Sequence, residues 1–234
     1  MNNWIKKGAI CSCISLSLTS IIISSIFINS YLESKNSGNN IFNDNVHSVI
    51  EIKCLKNELV HLGTAICVDT DVFITNAHVV LYEDNGCSFN FENYFYRFCD
   101  DKNWESFDVI SFNSKIDIAI IKIHSSKSKK VKIYDDPIFN VGDKIFGLGN
   151  AFGQGLTLNS GMISSKEVII NDSSYICSDN RVVEGYSGGG LFLENGKFLG
   201  MITSVTQAGE LTYSLCLKEI INYLKGVNYE NKTI

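Results

Sequence analysis

The chain has 234 residues, 26.0 kDa and 45% hydrophobic residues, enough to fill one sizeable core or two small ones, which argues against general disorder. A net charge of −5 and a pI near 5.4 leave no basic face to neutralise phosphates, so nucleic-acid binding is not expected. The one basic cluster, SSKSKK at 125–130, reads as a solvated loop.

Lys6 and Lys7 precede an apolar stretch from Ala9 to Ile28, uninterrupted by charge and about the length a bilayer-spanning helix needs. A cleaved signal usually has a shorter apolar core and a small-x-small cleavage site, for which INS at 28–30 is a poor match. Residues 1–30 are therefore expected to be an N-terminal transmembrane signal anchor in preference to a cleaved signal peptide. The lysines would keep the N-terminus cytoplasmic and the rest of the chain outside the cytoplasm, or secreted if cleavage occurs. Cys11 and Cys13 then read as membrane-buried thiols. Residues 31–45, rich in Asn, Ser and Gly, read as a flexible linker.

From residue 46 the pattern changes to short β-type runs separated by turn signals: VHSVIEIKCL, LVHLGTAICV, DVFIT, SFNFENYFYRF, FDVISF, DIAIIKI, DKIFGLG, LTLNSGMIS, EVII, GLFLENGKFLGMIT and LTYSLCL. This density of strands predicts an all-β barrel or sandwich. The lone proline, Pro137, divides the runs into two sets of similar size. Asn195-Gly196 predicts a two-residue type I′ hairpin. The final clear element is a helix in LKEIINYLKG, with Leu217, Ile220, Ile221 and Leu224 on one face and Gly226 able to close it in the left-handed conformation. Residues 227–234 form a tail.

Six cysteines follow the apolar segment, Cys54, Cys67, Cys87, Cys99, Cys177 and Cys216. Six permit fifteen pairings, of which Cys87 with Cys99 is favoured because they bracket a possible hairpin. No C-x-x-C pair exists and no histidine stands at ligand spacing, so no metal site and no cofactor are expected.

The chemistry centres on GYSGGG at 185–190, where Ser187 lies among glycines. An α/β-hydrolase needs a histidine after its serine, but the histidines stand at 47, 61, 78 and 124. The order His, Asp, Ser is met instead: His78 follows the apolar run DVFI, Asp117 heads IAIIKI, and Ser187 comes late. Asp108 is a rival for the aspartate, but only Asp117 is followed by that strand. GLGNAFG at 147–153 lacks the spacing of a dinucleotide-binding loop and reads as a tight turn between strands.

Four stretches carry a family resemblance. GTAICVDTDVFITNAHVV resembles the histidine motif of trypsin-like serine proteases of the HtrA (Deg) type. VISFNSKIDIAIIKI is similar to that family's aspartate motif, VGDKIFGLGNAFGQGLTLNSGMIS to its glycine-rich segment, and SDNRVVEGYSGGGLFLENGKFLGMIT to its serine motif. Asp179, eight positions before Ser187, also matches a family aspartate. The resemblance spans about residues 47–224 and implies a trypsin-like serine protease domain over 46–226. It would be built of two six-stranded antiparallel β-barrels, at about 46–125 and 138–216. It implies a serine endopeptidase with the triad His78, Asp117 and Ser187, an oxyanion hole of the Gly185 and Ser187 backbone N–H groups, protein or peptide substrates, and a homo-oligomer as one option. Arg181, six positions before the serine, would lie at the base of the primary substrate pocket, favouring acidic residues if it points inward and small aliphatic ones if it points to solvent.

This chain departs from the family at Tyr186, which replaces a small polar residue, at Ala151, which replaces a proline, and in NRVVE before the serine. No sequence for a PDZ domain follows the helix. Pancreatic-type zymogens carry an aspartate where Tyr186 stands, so no activation cleavage is expected. The alternative from another class is an inactive protease-like domain that binds peptides without cutting them.

Overall fold

The computed structural model describes residues 22–28, 37–134, 137–206 and 208–227. The chain divides into two compact units, Met1–Ser37 and Gly38–Ile234. In the first, residues 22–28 are helical and exposed; most of the expected anchor, with Cys11 and Cys13, lies outside the described residues. No helix among the described residues is long and apolar enough to cross a membrane.

The second unit is mostly β, with a short C-terminal helix. Its early strands are β1 (Val49–Lys56), β2 (Leu59–Asp69), β3 (Val72–Thr75), β4 (Leu81–Asp84), β5 (Cys87–Asn90), β6 (Asn93–Arg97), β7 (Glu105–Ser106), β8 (Asp108–Asn113) and β9 (Ile118–Lys122). Seven of them make one sheet in the order β7-β6-β1-β2-β3-β9-β8, while β4 and β5 pair apart as a hairpin. The first half is therefore an open seven-stranded sheet, not the expected six-stranded barrel. Its two edges, β7 and β8, are separated by Phe107 alone and do not pair with each other.

The second half matches the expectation of closure. Strands β10 (Lys144–Asn150), β11 (Leu156–Ile170), β12 (Ser173–Ser178), β13 (Gly190–Leu193), β14 (Phe198–Val205) and β15 (Thr212–Cys216) form a closed barrel in the order β10-β11-β12-β15-β14-β13. The runs LTLNSGMIS and EVII are one fifteen-residue strand, β11, whose pairing with β12 shifts register around Ser165.

Period-two patterning explains which faces are buried. Ile50, Ile52 and Cys54 of β1 point into the same cluster as Ala65 and Cys67 of β2 and Phe73 of β3. A second cluster, with Ile145, Ile163, Ile176, Leu191, Leu199 and Ile202, fills the barrel and includes Tyr186. A third joins the two halves through Val49, Ile66, Ile74, Phe146, Leu148 and Met201.

Helix α1 (residues 37–45) stands where the linker was expected, because Ile41 and Phe42 are enough to dock it: Ile41 is buried and Phe42 packs beside it in this third cluster. The helix α2 (Ala77–Val80) is a single turn, and the final helix α3 (Leu217–Gly226) buries Leu217 and Ile220 on the predicted face.

Three local expectations are corrected. Gly226 is helical and has no positive φ; the helix ends instead at Val227, whose N–H reaches the Tyr223 and Leu224 carbonyls. The Asn195-Gly196 hairpin forms, but only Gly196 has a positive φ (80°). With Gly196 N–H bonded to the Leu193 carbonyl and Leu193 N–H to the Lys197 carbonyl, the loop is a turn closed by a glycine bulge and not the I′ form, which needs two left-handed residues. All six described cysteines are free thiols. Cys87 pairs within the β4–β5 hairpin and Cys99 follows β6 of the large sheet, so they do not bracket a hairpin of their own.

Candidate active site

His78 lies on α2, the single turn that ends β3, and Asp117 lies at the head of β9, which pairs with β3. This pairing brings two residues 39 positions apart into contact. His78 Nδ1 is 2.7 Å from Asp117 Oδ2, and the His78 backbone N–H donates to Asp117 Oδ1 at 3.0 Å. A carboxylate only accepts, so Nδ1 carries the proton and Nε2 is left as the basic nitrogen. The imidazole is half exposed (50%) and the carboxylate less so (24%). Asp117 has a φ of 53°, a left-handed conformation that costs about 1–2 kcal/mol for an L-residue and is tolerated best by Asp and Asn.

Residues outside the sequence expectation hold this pair. Asn76, fully buried just before α2, donates from Nδ2 to the Asp117 carbonyl at 2.8 Å and to Thr203 Oγ1 of β14 at 3.2 Å. Thr75 Oγ1 donates to the Thr64 carbonyl at 2.7 Å. Asn76 stands inside the histidine motif, but nothing in one sequence says that its side chain bridges to both Asp117 and the barrel. Asp108, the rival aspartate, is exposed at the start of β8, and Asp117 alone among the described residues pairs with His78 through its side chain.

Ser187 sits in the turn before β13, against β2. The Thr64 N–H donates to the Ser187 carbonyl at 2.9 Å, and Thr64 Oγ1 donates to the Gly185 carbonyl at 2.7 Å while accepting from the Asn150 N–H at 2.9 Å. Glycine is required twice here. Gly185 (φ 92°) and Gly188 (φ 85°) are left-handed, and a Cβ would lie 2.0 Å from the Asn150 carbonyl at the first and 2.0 Å from the Thr64 carbonyl at the second.

Backbone donors in the turn divide into two sets. Tyr186 N–H bonds the Val183 carbonyl, Gly188 N–H the Ile202 carbonyl and Gly189 N–H the Tyr186 carbonyl. The Gly185 and Ser187 N–H groups have no hydrogen-bond partner among the described residues. The Glu184 carbonyl accepts from Phe152 N–H at 2.8 Å, so the Gly185 N–H, antiparallel to that carbonyl in the same trans peptide, points away from Phe152. No hydrogen bond joins the Ser187 hydroxyl to His78 among the described residues; catalytic bonds of this kind often tighten only in the Michaelis complex.

Arg181 is exposed, and its carbonyl accepts from Asn159 Nδ2. The remaining histidines make surface contacts: His61 Nδ1 lies 3.3 Å from the His78 carbonyl, His124 pairs with Asp71 and His47 with Asp100. Among the described residues no cluster of His, Cys, Asp and Glu could hold a metal.

An open sheet and a closed antiparallel barrel, with a His–Asp pair on the first and a glycine-framed serine on the second, define the class of chymotrypsin-like proteins. Residues 63–201 match the family profile described as "Trypsin-like peptidase domain", and the chain belongs to that family. It is 30% identical over 151 residues to the periplasmic serine endoprotease DegP of Escherichia coli K12, covering 62% of this chain and 30% of the relative. It is 28% identical over 174 residues to a probable DegP-like periplasmic endoprotease of Chlamydia trachomatis, covering 69% and 33%. The matched region thus spans about a third of the length of these relatives. In fold it is similar to the Rv3671c protease from M. tuberculosis in its active form (TM-score 0.72, 22% identity, 82% and 86% covered). It is similar also to the HtrA-type protease AlgW with a tripeptide (TM-score 0.71, 20% identity, 82% and 64% covered).

Proposed function

We propose that the chain is a serine endopeptidase that cuts protein substrates through an acyl-enzyme. The observation that carries this reading is the 2.7 Å contact of His78 Nδ1 with Asp117, which leaves Nε2 as the nitrogen free to act as base. Ser187 Oγ attacks the substrate carbonyl carbon as His78 Nε2 removes its proton. The carbonyl electron pair moves to oxygen, and the Gly185 and Ser187 N–H groups receive the oxyanion. The imidazolium, held by Asp117, returns the proton to the leaving amine. Water then repeats the sequence on the ester, releasing the acid and restoring Ser187. The unspent amides of residues 185 and 187 support this assignment, since the neighbouring amides are engaged.

With Arg181 exposed, the primary pocket favours small aliphatic side chains at P1. The domain acts outside the cytoplasm, like its periplasmic DegP relatives, and residues 1–30 anchor it to the membrane. A fluorophosphonate probe tests the central reading. It should label the wild-type chain and neither Ser187→Ala nor His78→Ala; a wild-type chain that binds peptide but takes no label is a binding module.

A further inference from the structure

Tyr186 stands between the two proposed oxyanion donors and is itself buried. Its ring lies against Gly149 of β10 so closely that a Cβ there would be 2.7 Å from a ring carbon and 3.1 Å from the Tyr186 Cα. Its hydroxyl is 2.7 Å from Thr157 Oγ1 on β11 and donates also toward the Thr157 carbonyl at 3.2 Å. Thr157 Oγ1 in turn donates to the Gly149 carbonyl at 3.1 Å, and Gly149 and Thr157 face each other across the β10–β11 ladder. The phenol therefore ends on a rigid rung of the closed barrel. Thr64 grips the Gly185 and Ser187 carbonyls from the open sheet, so the turn is held from both sides.

We propose that Tyr186 is a neutral positioning residue that latches the nucleophile turn to the β10–β11 hairpin, holding the Gly185 and Ser187 amides in their donor orientation without a charged partner. This rests on the reading of Ser187 as the nucleophile. The side chain touches no reacting atom. It acts through its own backbone: the Tyr186 N–H is fixed on Val183 and its carbonyl on Gly189, so the amides on either side turn with it. Since neither latch group is charged near neutrality, and burial raises the phenol's pKa above its ordinary value, the latch does not open on titration of an amine.

The test compares Tyr186→Phe, Thr157→Val and the double variant, after the fluorophosphonate probe has been shown to label the wild-type chain. Direct loss of an oxyanion donor costs ~10²–10³ in rate, and loosening both indirectly should cost less, about 10-fold in kcat with KM within about two-fold. The two losses should not multiply in the double variant, because each single variant already breaks the contact between the two hydroxyls. A peptide boronate, whose tetrahedral adduct needs the donors, should weaken in step with kcat while a product peptide binds as before. Wild-type kcat in both single variants, a loss confined to KM, or losses that multiply in the double variant would each overturn the latch. Should Tyr186→Phe fail to fold by circular dichroism, Thr157→Val decides alone. An unlabelled wild-type chain sinks the protease reading itself, whereas a labelled one with indifferent variants sinks only the latch.

Discussion

The Thr64 amide donates to the Ser187 carbonyl at 2.9 Å, so a strand of the open sheet and the serine turn of the closed barrel share a hydrogen bond. The same residue's hydroxyl, fully buried, bridges the Gly185 carbonyl and the Asn150 amide. Thr64→Val keeps the backbone bond and the shape but leaves a buried carbonyl and a buried N–H unpaired. We expect a loss of about 1–3 kcal/mol in stability. Urea unfolding checks the stability, and kcat should fall beyond what the folded fraction explains.

Asp117→Asn keeps the size of the side chain but offers an N–H₂ or an amide oxygen where the carboxylate accepted from both Nδ1 and the His78 backbone N–H. The ring is then free to take the other tautomer, with Nε2 protonated and useless as a base. By analogy with other triads kcat should fall ~10⁴-fold. Steady-state cleavage of a peptide ester measures it, and an unchanged kcat would remove Asp117 from the proposed triad.

Much of this arrangement was legible in the sequence, and the parts that were not share a physical cause. His78, Asp117 and Ser187 each stand beside a short, buried apolar strand, β3, β9 and β13, so order and local context single them out as candidates. Strand density alone left barrel and sandwich open, and closure was implied only by the family resemblance; the six strands of the second half do form a ring. What single residues do not reveal is where a side chain reaches across the fold. Thr64 and Asn76 look like ordinary polar residues in a strand and a turn, and only the meeting of the two halves gives them partners 121 and 127 positions away. The helix over 37–45 was missed because two apolar residues in a polar stretch give no periodicity. Failure of β7 and β8 to pair depends on tertiary geometry that no turn signal encodes.

Far from the site, Glu51 is buried on β1 and meets Arg97 of β6, Arg97 Nη2 donating to Glu51 Oε2 at 2.9 Å, with the guanidinium over the Trp104 ring. Arg97→Met leaves a buried carboxylate alone and should cost about 3–5 kcal/mol. Glu51→Gln combined with Arg97→Met should recover most of it, since neither charge then remains. Denaturant midpoints of the single and double variants check this. Labelling of Ser187 in the folded protein should not change.

Burial pushes the thiols of Cys54 and Cys67 up from 9.0 to about 12. A thiol that ionises later in the folded chain than in the unfolded one lets the folded state hold more protons between those two values. Stability contributed by keeping these thiols neutral is therefore fully present below pH 9 and is lost as pH rises toward 12. Each group adds a slope of about 1.4 kcal/mol per pH unit within that window. Urea midpoints should fall from pH 8.5 to pH 10.5 more steeply for the wild-type chain than for Cys54→Ala/Cys67→Ala, even though the double variant starts lower because of its cavities. Exposed Cys87 should react with iodoacetamide in the folded protein at pH 8, while Cys54 and Cys67 react only after unfolding. Equal slopes in the two proteins would show that these thiols do not set the alkaline limit.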